Sequence, residues 1–187
     1  MSINYKALNQ INADLEGKKA KLLIVTKTRS QDDIFELIES GYRDFAENRV
    51  QEAYMKYSKI TAHTKINLSL IGPLQSNKVK QALNLFDTIQ SIDRSKIVDE
   101  MIKYKDLKTK TKNFFIQINI GEEPQKSGVL PENFNEFYYY CKSKGLEISG
   151  IMCIPPLNKD PRYFFEKMLK TRKNIDDHLT LSMGMSS

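Results

Sequence analysis

Short apolar runs recur along the chain, and each is followed by a stretch in which apolar residues return every three or four positions. The runs predict strands at 22–26, 44–46, 67–71, 88–91, 114–120, 147–152 and 180–183. The stretches predict helices at 31–40, 49–58, 77–84, 94–104, 131–144 and 161–176, with a leading helix over 4–15. Buried strands alternating with amphipathic helices are the sequence form of a parallel βα architecture. Helix punctuation agrees: Ser30 and Asp93 stand as N-caps, and Pro131 with Glu132 opens a first turn. The regular βα steps, with no GxGxxG or P-loop after the first strand, favour a TIM-type (β/α) barrel over an open doubly wound sheet. A single α/β domain over residues 1–187 is expected, with its chemistry on the loops at the C-terminal ends of the strands.

Composition narrows the class. A chain of 187 residues that is 40% hydrophobic and 10% aromatic can build one sizeable core. No apolar stretch is long enough to span a bilayer, and the first fifteen residues lack a secretory pattern, so a cytoplasmic protein is expected. Cys141 and Cys153 show no CxxC spacing and read as free, buried thiols. With only His63 and His178 as imidazoles, a zinc site lacks ligands. The net charge of +6 comes mainly from scattered lysines, densest at Lys103, Lys105, Lys108, Lys110 and Lys112, without interleaved aromatics. That pattern reads as a solvated surface rather than a nucleic-acid interface.

Four strand ends carry candidate chemistry. Lys27 directly follows the run Leu22-Leu23-Ile24-Val25-Thr26, where partial desolvation would favour a neutral amine able to form an imine with an aldehyde. Read locally, the bland alternative is a snorkelling surface lysine. Glu47 and Asn48 end the second strand, and on local grounds Asn48 caps the next helix. The third strand opens through Gly72-Pro73-Leu74-Gln75-Ser76-Asn77-Lys78, where Lys78 near a helix start suits an anion and Ser76 is the local capping choice. The last is Leu181-Ser182-Met183-Gly184-Met185-Ser186, whose hydroxyls and approachable amides could cradle a phosphate.

In this order the segments resemble the YggS/PROSC family of pyridoxal phosphate homeostasis proteins. The resemblance rests on Val25-Thr26-Lys27-Thr28, Phe45-Ala46-Glu47-Asn48 with Val50-Gln51-Glu52, the string Ile71 to Lys78, Ser91-Ile92-Asp93-Arg94, Gln117-Ile118-Asn119-Ile120 with Lys126-Ser127-Gly128, Gly150-Ile151-Met152 and Leu181 to Ser186. It runs from about residue 20 to the last residue. It implies a barrel like the alanine racemase N-terminal domain, with pyridoxal 5'-phosphate held as a Schiff base on Lys27. It further implies that Asn48 lies near the cofactor ring, that Ser186 and the backbone around Met185 contact the phosphate with Ser182 close by, and that Lys78 and Lys126 are nearby cations.

The departures are informative. Proteins like this usually continue beyond the Ser-Met-Gly-Met-Ser segment into an eighth strand carrying an arginine and further phosphate donors, whereas the present sequence stops at Ser187. The expectation is therefore a barrel truncated before its eighth strand, with exposed edges on the first and seventh. Ala46 also stands where a glycine is usual.

The functional expectation is a monomeric, non-catalytic pyridoxal phosphate carrier in vitamin B6 homeostasis, with apoenzymes that use the cofactor as recipients. No nucleic-acid or membrane partner is expected. The alternative is an amino-acid racemase-like enzyme using the same cofactor. It requires a second proton-transfer base opposite the lysine, which racemases take from a separate β domain. A chain of 187 residues leaves no room for that domain.

Overall fold

The computed structural model describes residues 3–60 and 64–184. After α1 (Tyr5–Leu15), strands and helices alternate in the order β1 (Ile24–Val25), α2 (Gln31–Glu39), β2 (Asp44–Glu47), α3 (Val50–Tyr57), β3 (Asn67–Leu70), α4 (Val79–Leu85), β4 (Thr88–Ile92) and α5 (Ser95–Ile102). They continue as β5 (Asn113–Gln117), α6 (Phe134–Ser143), β6 (Gly150–Cys153), α7 (Pro161–Ile175) and β7 (Thr180–Met183). The strands form one seven-stranded parallel sheet in chain order, β1 to β7.

That order has a geometric consequence. Parallel crossovers are right-handed, so when every step goes to the next strand in the same direction, every helix lands on the same face of the sheet. A twisted sheet covered on one face curls around the other. The structure is thus a curled, open parallel sheet. Among the described residues β1 and β7 are its two edges, and closure into a complete barrel is not seen.

The two faces differ in chemistry. Residues in register across a parallel ladder point the same way, and Phe45, Leu68, Leu70, Ile89, Ile116, Ile151 and Cys153 share one face and one buried cluster with the helices. From those helices come Ile34, Ala53, Tyr57, Val79, Ile97, Phe134 and Met168. The alternate positions, Val25, Ala46, Ser69, Phe115, Gln117, Gly150, Met152, Thr180 and Ser182, form the concave face and lie outside that cluster. A bulge in β4 adds to this face: between Ile89 opposite Phe114 and Ile92 opposite Ile116, both Gln90 and Ser91 oppose Phe115 alone.

Several local expectations need correction. The edge strand β1 is two residues long where 22–26 reads as strand, because only Ile24 and Val25 register with β2. β5 ends at Gln117, since the following loop folds back to pair: Val129 N–H donates to Gln117 O at 2.8 Å and Asn119 N–H to Val129 O at 2.9 Å. Ser30 does cap α2, in a full capping box with Asp33. Asp93 does not cap α5; the cap position is Arg94, without a side-chain bond, and the Asp93 carboxylate pairs instead with Arg94. Both cysteines are buried and free, and burial pushes each thiol up to about 12.

Gly150 leaves no room for a side chain beside β5: a Cβ there would sit 2.6 Å from the Phe115 ring. Gly150→Ala is expected to lower unfolding free energy by about 1–3 kcal/mol through overpacking, with Phe115→Leu in the same chain recovering part of the loss. Urea unfolding of the two variants checks this, and a neutral Gly150→Ala would contradict it.

Candidate functional site

Lys27 sits in a tight turn at the C-terminal end of β1. The Arg29 N–H donates to the Thr26 carbonyl at 3.0 Å, closing the turn, and Thr28 takes a φ of +63°. A β-branched residue in this left-handed region is strained by about 1–2 kcal/mol, so neighbouring contacts must hold it. They come from α3. Glu52 Oε1 accepts the Thr28 N–H at 2.8 Å, and Lys56 Nζ donates to Thr26 O at 2.8 Å.

The Thr26 side chain, by contrast, turns toward the helices. Its hydroxyl donates to Glu47 Oε1 at 2.9 Å, which leaves the Tyr57 hydroxyl, 2.6 Å away, to donate to it. Lys27, the next residue, stands in the turn just beyond the C-terminal end of β1. Lys27 is exposed there, with no hydrogen-bond or ion-pair partner among the described residues.

Asn48 directly follows Glu47, the last residue of β2, and stands two residues past Ala46, as Lys27 stands two past Val25, the ladder partner of Ala46 on β1. It is not the cap of α3: that position is Arg49, without a side-chain bond. The Asn48 Oδ1 is buried with no partner among the described residues, as are Gln90 Oε1, Ser91 Oγ and Gln117 Oε1. A buried acceptor without a partner costs about 1–3 kcal/mol, so a cluster of them on one face marks a surface arranged for something other than stability. Gly72 locks Asn48 in place, because a Cβ at that position would meet the Asn48 carbonyl oxygen at 2.0 Å.

Lys78 ends a 3-10 turn (Ser76–Lys78) at the start of α4; it is half-buried and has no ion pair among the described residues. Ser76 does not cap this turn, whose cap position is Gln75. Ser182 lies on β7, in register with Met152 on the concave face. Lys27, just beyond β1, and Ser182, on β7, therefore lie at opposite edges of the sheet. Met185 and Ser186 lie outside the described residues. Lys126 is already engaged, paired with Glu123 at 2.6 Å and donating to Pro155 O at 3.1 Å.

Beneath Lys27 lies a buried ionic group that sequence inspection missed. Lys56 Nζ approaches Glu47 Oε1 at 3.0 Å and Glu52 Oε1 at 2.6 Å, with the Glu47 side chain fully buried. Burial pushes the Glu47 carboxyl above its ordinary value, and the bonds from Lys56 and Thr26 only partly oppose this. The more exposed Glu52 moves the other way, held down mainly by its bond from Lys56. The one sequence signal was the i,i+4 spacing of Glu52 and Lys56, which also describes any surface helix pair.

Comparison with known proteins places this geometry. The family model of the alanine racemase N-terminal domain matches residues 4–187. Alanine racemase of Bacillus anthracis shares the fold at a TM-score of 0.72 and 15% identity, over 96% of this chain and 49% of that one. A pyridoxal phosphate homeostasis protein of Buchnera aphidicola is 34% identical over 180 residues, 90% of this chain and 77% of the relative. That of Aquifex aeolicus is 35% identical over 176 residues, 89% of this chain and 77% of the relative. PipY of Synechococcus elongatus, solved with pyridoxal phosphate bound, superposes at a TM-score of 0.78 and 28% identity, covering 97% of this chain and 89% of that one. The fold is that of the alanine racemase N-terminal domain. Within it, the chain belongs to the family of pyridoxal phosphate homeostasis proteins.

The opposed shifts of the two glutamates predict a pH signature. For Glu47 the folded protein holds the proton more tightly than the unfolded chain, so its ionisation opposes folding. Its contribution is lost as pH rises from the ordinary 4.5 through the raised folded value. Glu52 contributes stability above 4.5 that is lost as pH falls through its lowered value. Glu47→Gln should therefore be more favourable, relative to the native chain, at neutral pH than near 4.5, measured by urea unfolding across that range. An equal difference at both ends would contradict the assignment.

Proposed function

We propose that this chain binds pyridoxal 5'-phosphate as a Schiff base on Lys27 and serves vitamin B6 homeostasis as a carrier rather than as a catalyst. The observation that carries the reading is the exposed Lys27 amine, without a partner among the described residues, just beyond β1, with the orphaned Asn48 Oδ1 just beyond the neighbouring strand β2. Bound there, the cofactor supplies an aldehyde that combines reversibly with an amine.

The residues present fit such a group. Lys27 offers the amine, and Asn48 offers a buried polar atom to the ring. Ser182, with Ser186 and the backbone around Met185, is assigned to the phosphate, with Lys78 as a nearby cation. PipY with pyridoxal phosphate bound and the relatives' shared name support the cofactor assignment. Apoenzyme recipients and a monomeric, cytoplasmic carrier belong to this proposal too. Among the described residues, no helix is long and apolar enough to cross a membrane.

The carrier reading draws support from the strand residues of the concave face. Val25, Ala46, Ser69, Gln90, Phe115, Gln117, Met152 and Ser182 include no acid or base. A racemase needs a second proton-transfer group opposite its lysine. Tyr57, whose hydroxyl lies 2.6 Å from that of Thr26, is on the helix side, and burial drives its hydroxyl well above the ordinary tyrosine value.

Two outcomes are expected. Added pyridoxal phosphate gives the native chain a visible imine absorbance that a competing amine removes and that Lys27→Ala lacks; an unchanged band in the variant would refute the anchor. Ser182→Ala weakens binding roughly 10- to 100-fold, the worth of one charge-assisted hydrogen bond, by fluorescence titration. Unaltered affinity would remove Ser182 from the phosphate site.

A further inference from the structure

The turn that presents Lys27 is bracketed from one helix. Lys56 reaches the carbonyl of the preceding residue, Thr26, and Glu52 reaches the amide of the following residue, Thr28, each at 2.8 Å. The two helix residues also bond to each other at 2.6 Å, so Thr26 O, Lys56, Glu52 and Thr28 N–H form one closed chain of charge-assisted hydrogen bonds. Lys56 is anchored further by Glu47, whose side chain is fully buried. The Lys56 side chain is itself only 11% exposed. A lysine withdrawn that far from water would be poorly placed as a mere surface ion pair.

We propose that Glu52 and Lys56 are positioning residues: they hold the Thr26–Thr28 backbone in the strained conformation that turns the Lys27 amine onto the concave face, and so set how readily that amine combines with an aldehyde. This rests on the Schiff-base reading above and adds residues that touch neither Lys27 Nζ nor the ligand. The geometry requires such a brace, because Thr28 at a φ of +63° would relax toward negative φ if its N–H were released. On relaxing, the direction of the preceding side chain changes with it. Preorganisation of a reactive amine is worth little for overall stability but much for the equilibrium of the reaction it enters.

The test compares Glu52→Ala, Glu52→Gln and, as a control on the same helix, Met55→Gly, whose native side chain is 70% exposed. Two readouts are taken: hydrogen exchange of the Thr28 amide without cofactor, and the equilibrium constant for imine formation with pyridoxal phosphate by visible absorbance. Glu52→Ala is expected to speed Thr28 exchange and lower the imine constant by about tenfold or more each. Glu52→Gln, which retains an acceptor oxygen, should keep much of the amide protection. Met55→Gly, at a comparable loss of melting temperature, should leave both readouts near native. The proposal is overturned if Glu52→Ala leaves both unchanged, or if Met55→Gly lowers the imine constant as far. A native chain that forms the imine while Glu52→Ala forms it equally well refutes the brace alone, whereas a native chain that forms none refutes the Schiff-base reading and the brace together.

Discussion

The strand order governs everything else in this molecule. Because each parallel strand is followed by its immediate neighbour, from β1 to β7, all the helices gather on one side of the sheet. The convex face takes the apolar load, with Leu68, Leu70, Ile89 and Ile151 completely buried beneath Ile34, Val79 and Met168. The concave face is released from that duty. It can hold Ser69, Gln90, Gln117 and Ser182 in its rows without breaking the main core.

That division explains a tension in the energetics. Buried polar atoms without partners among the described residues gather on the concave face and its β4 bulge, on Gln90, Ser91 and Gln117, and at the end of β2, on Glu47 and Asn48. Among the described residues, the non-glycine residues with positive φ are Thr28, in the turn after β1, and Glu122. Structures that give up stability locally tend to do so at functional sites, and stabilising contacts then appear nearby. Here they are the Lys56, Glu47 and Glu52 group and the close approach of Gly72 to Asn48.

Much of the fold was legible in the sequence, because strand runs and helical periods are local properties. Each of the seven strands overlaps the apolar run that predicts it, though β1, β5 and β6 are shorter than their runs, and Ser30 caps α2 as expected. Lys27 was legible for the same reason, as a charge directly after an apolar run. What stayed hidden depends on contacts between elements. Asn48 reads as a cap until α3 is seen to take Arg49 as its cap position, with the Gly72 loop packed against the Asn48 backbone. Lys56 reads as an ordinary helix-surface lysine until β1 and β2 are brought against α3, because its partners Thr26 and Glu47 lie 30 and 9 residues away. The early end of β5 likewise depends on a loop that returns to pair with it.

The central claim is that the concave face offers one amine, Lys27, to an aldehyde. Borohydride reduction of the native chain with bound pyridoxal phosphate, followed by peptide mapping, tests it most directly, since every lysine competes for the label. The account predicts the reduced pyridoxyl group on the peptide containing Lys27 at near-stoichiometric yield. Label spread over the surface lysines, or concentrated at Lys78 or Lys126, would contradict it.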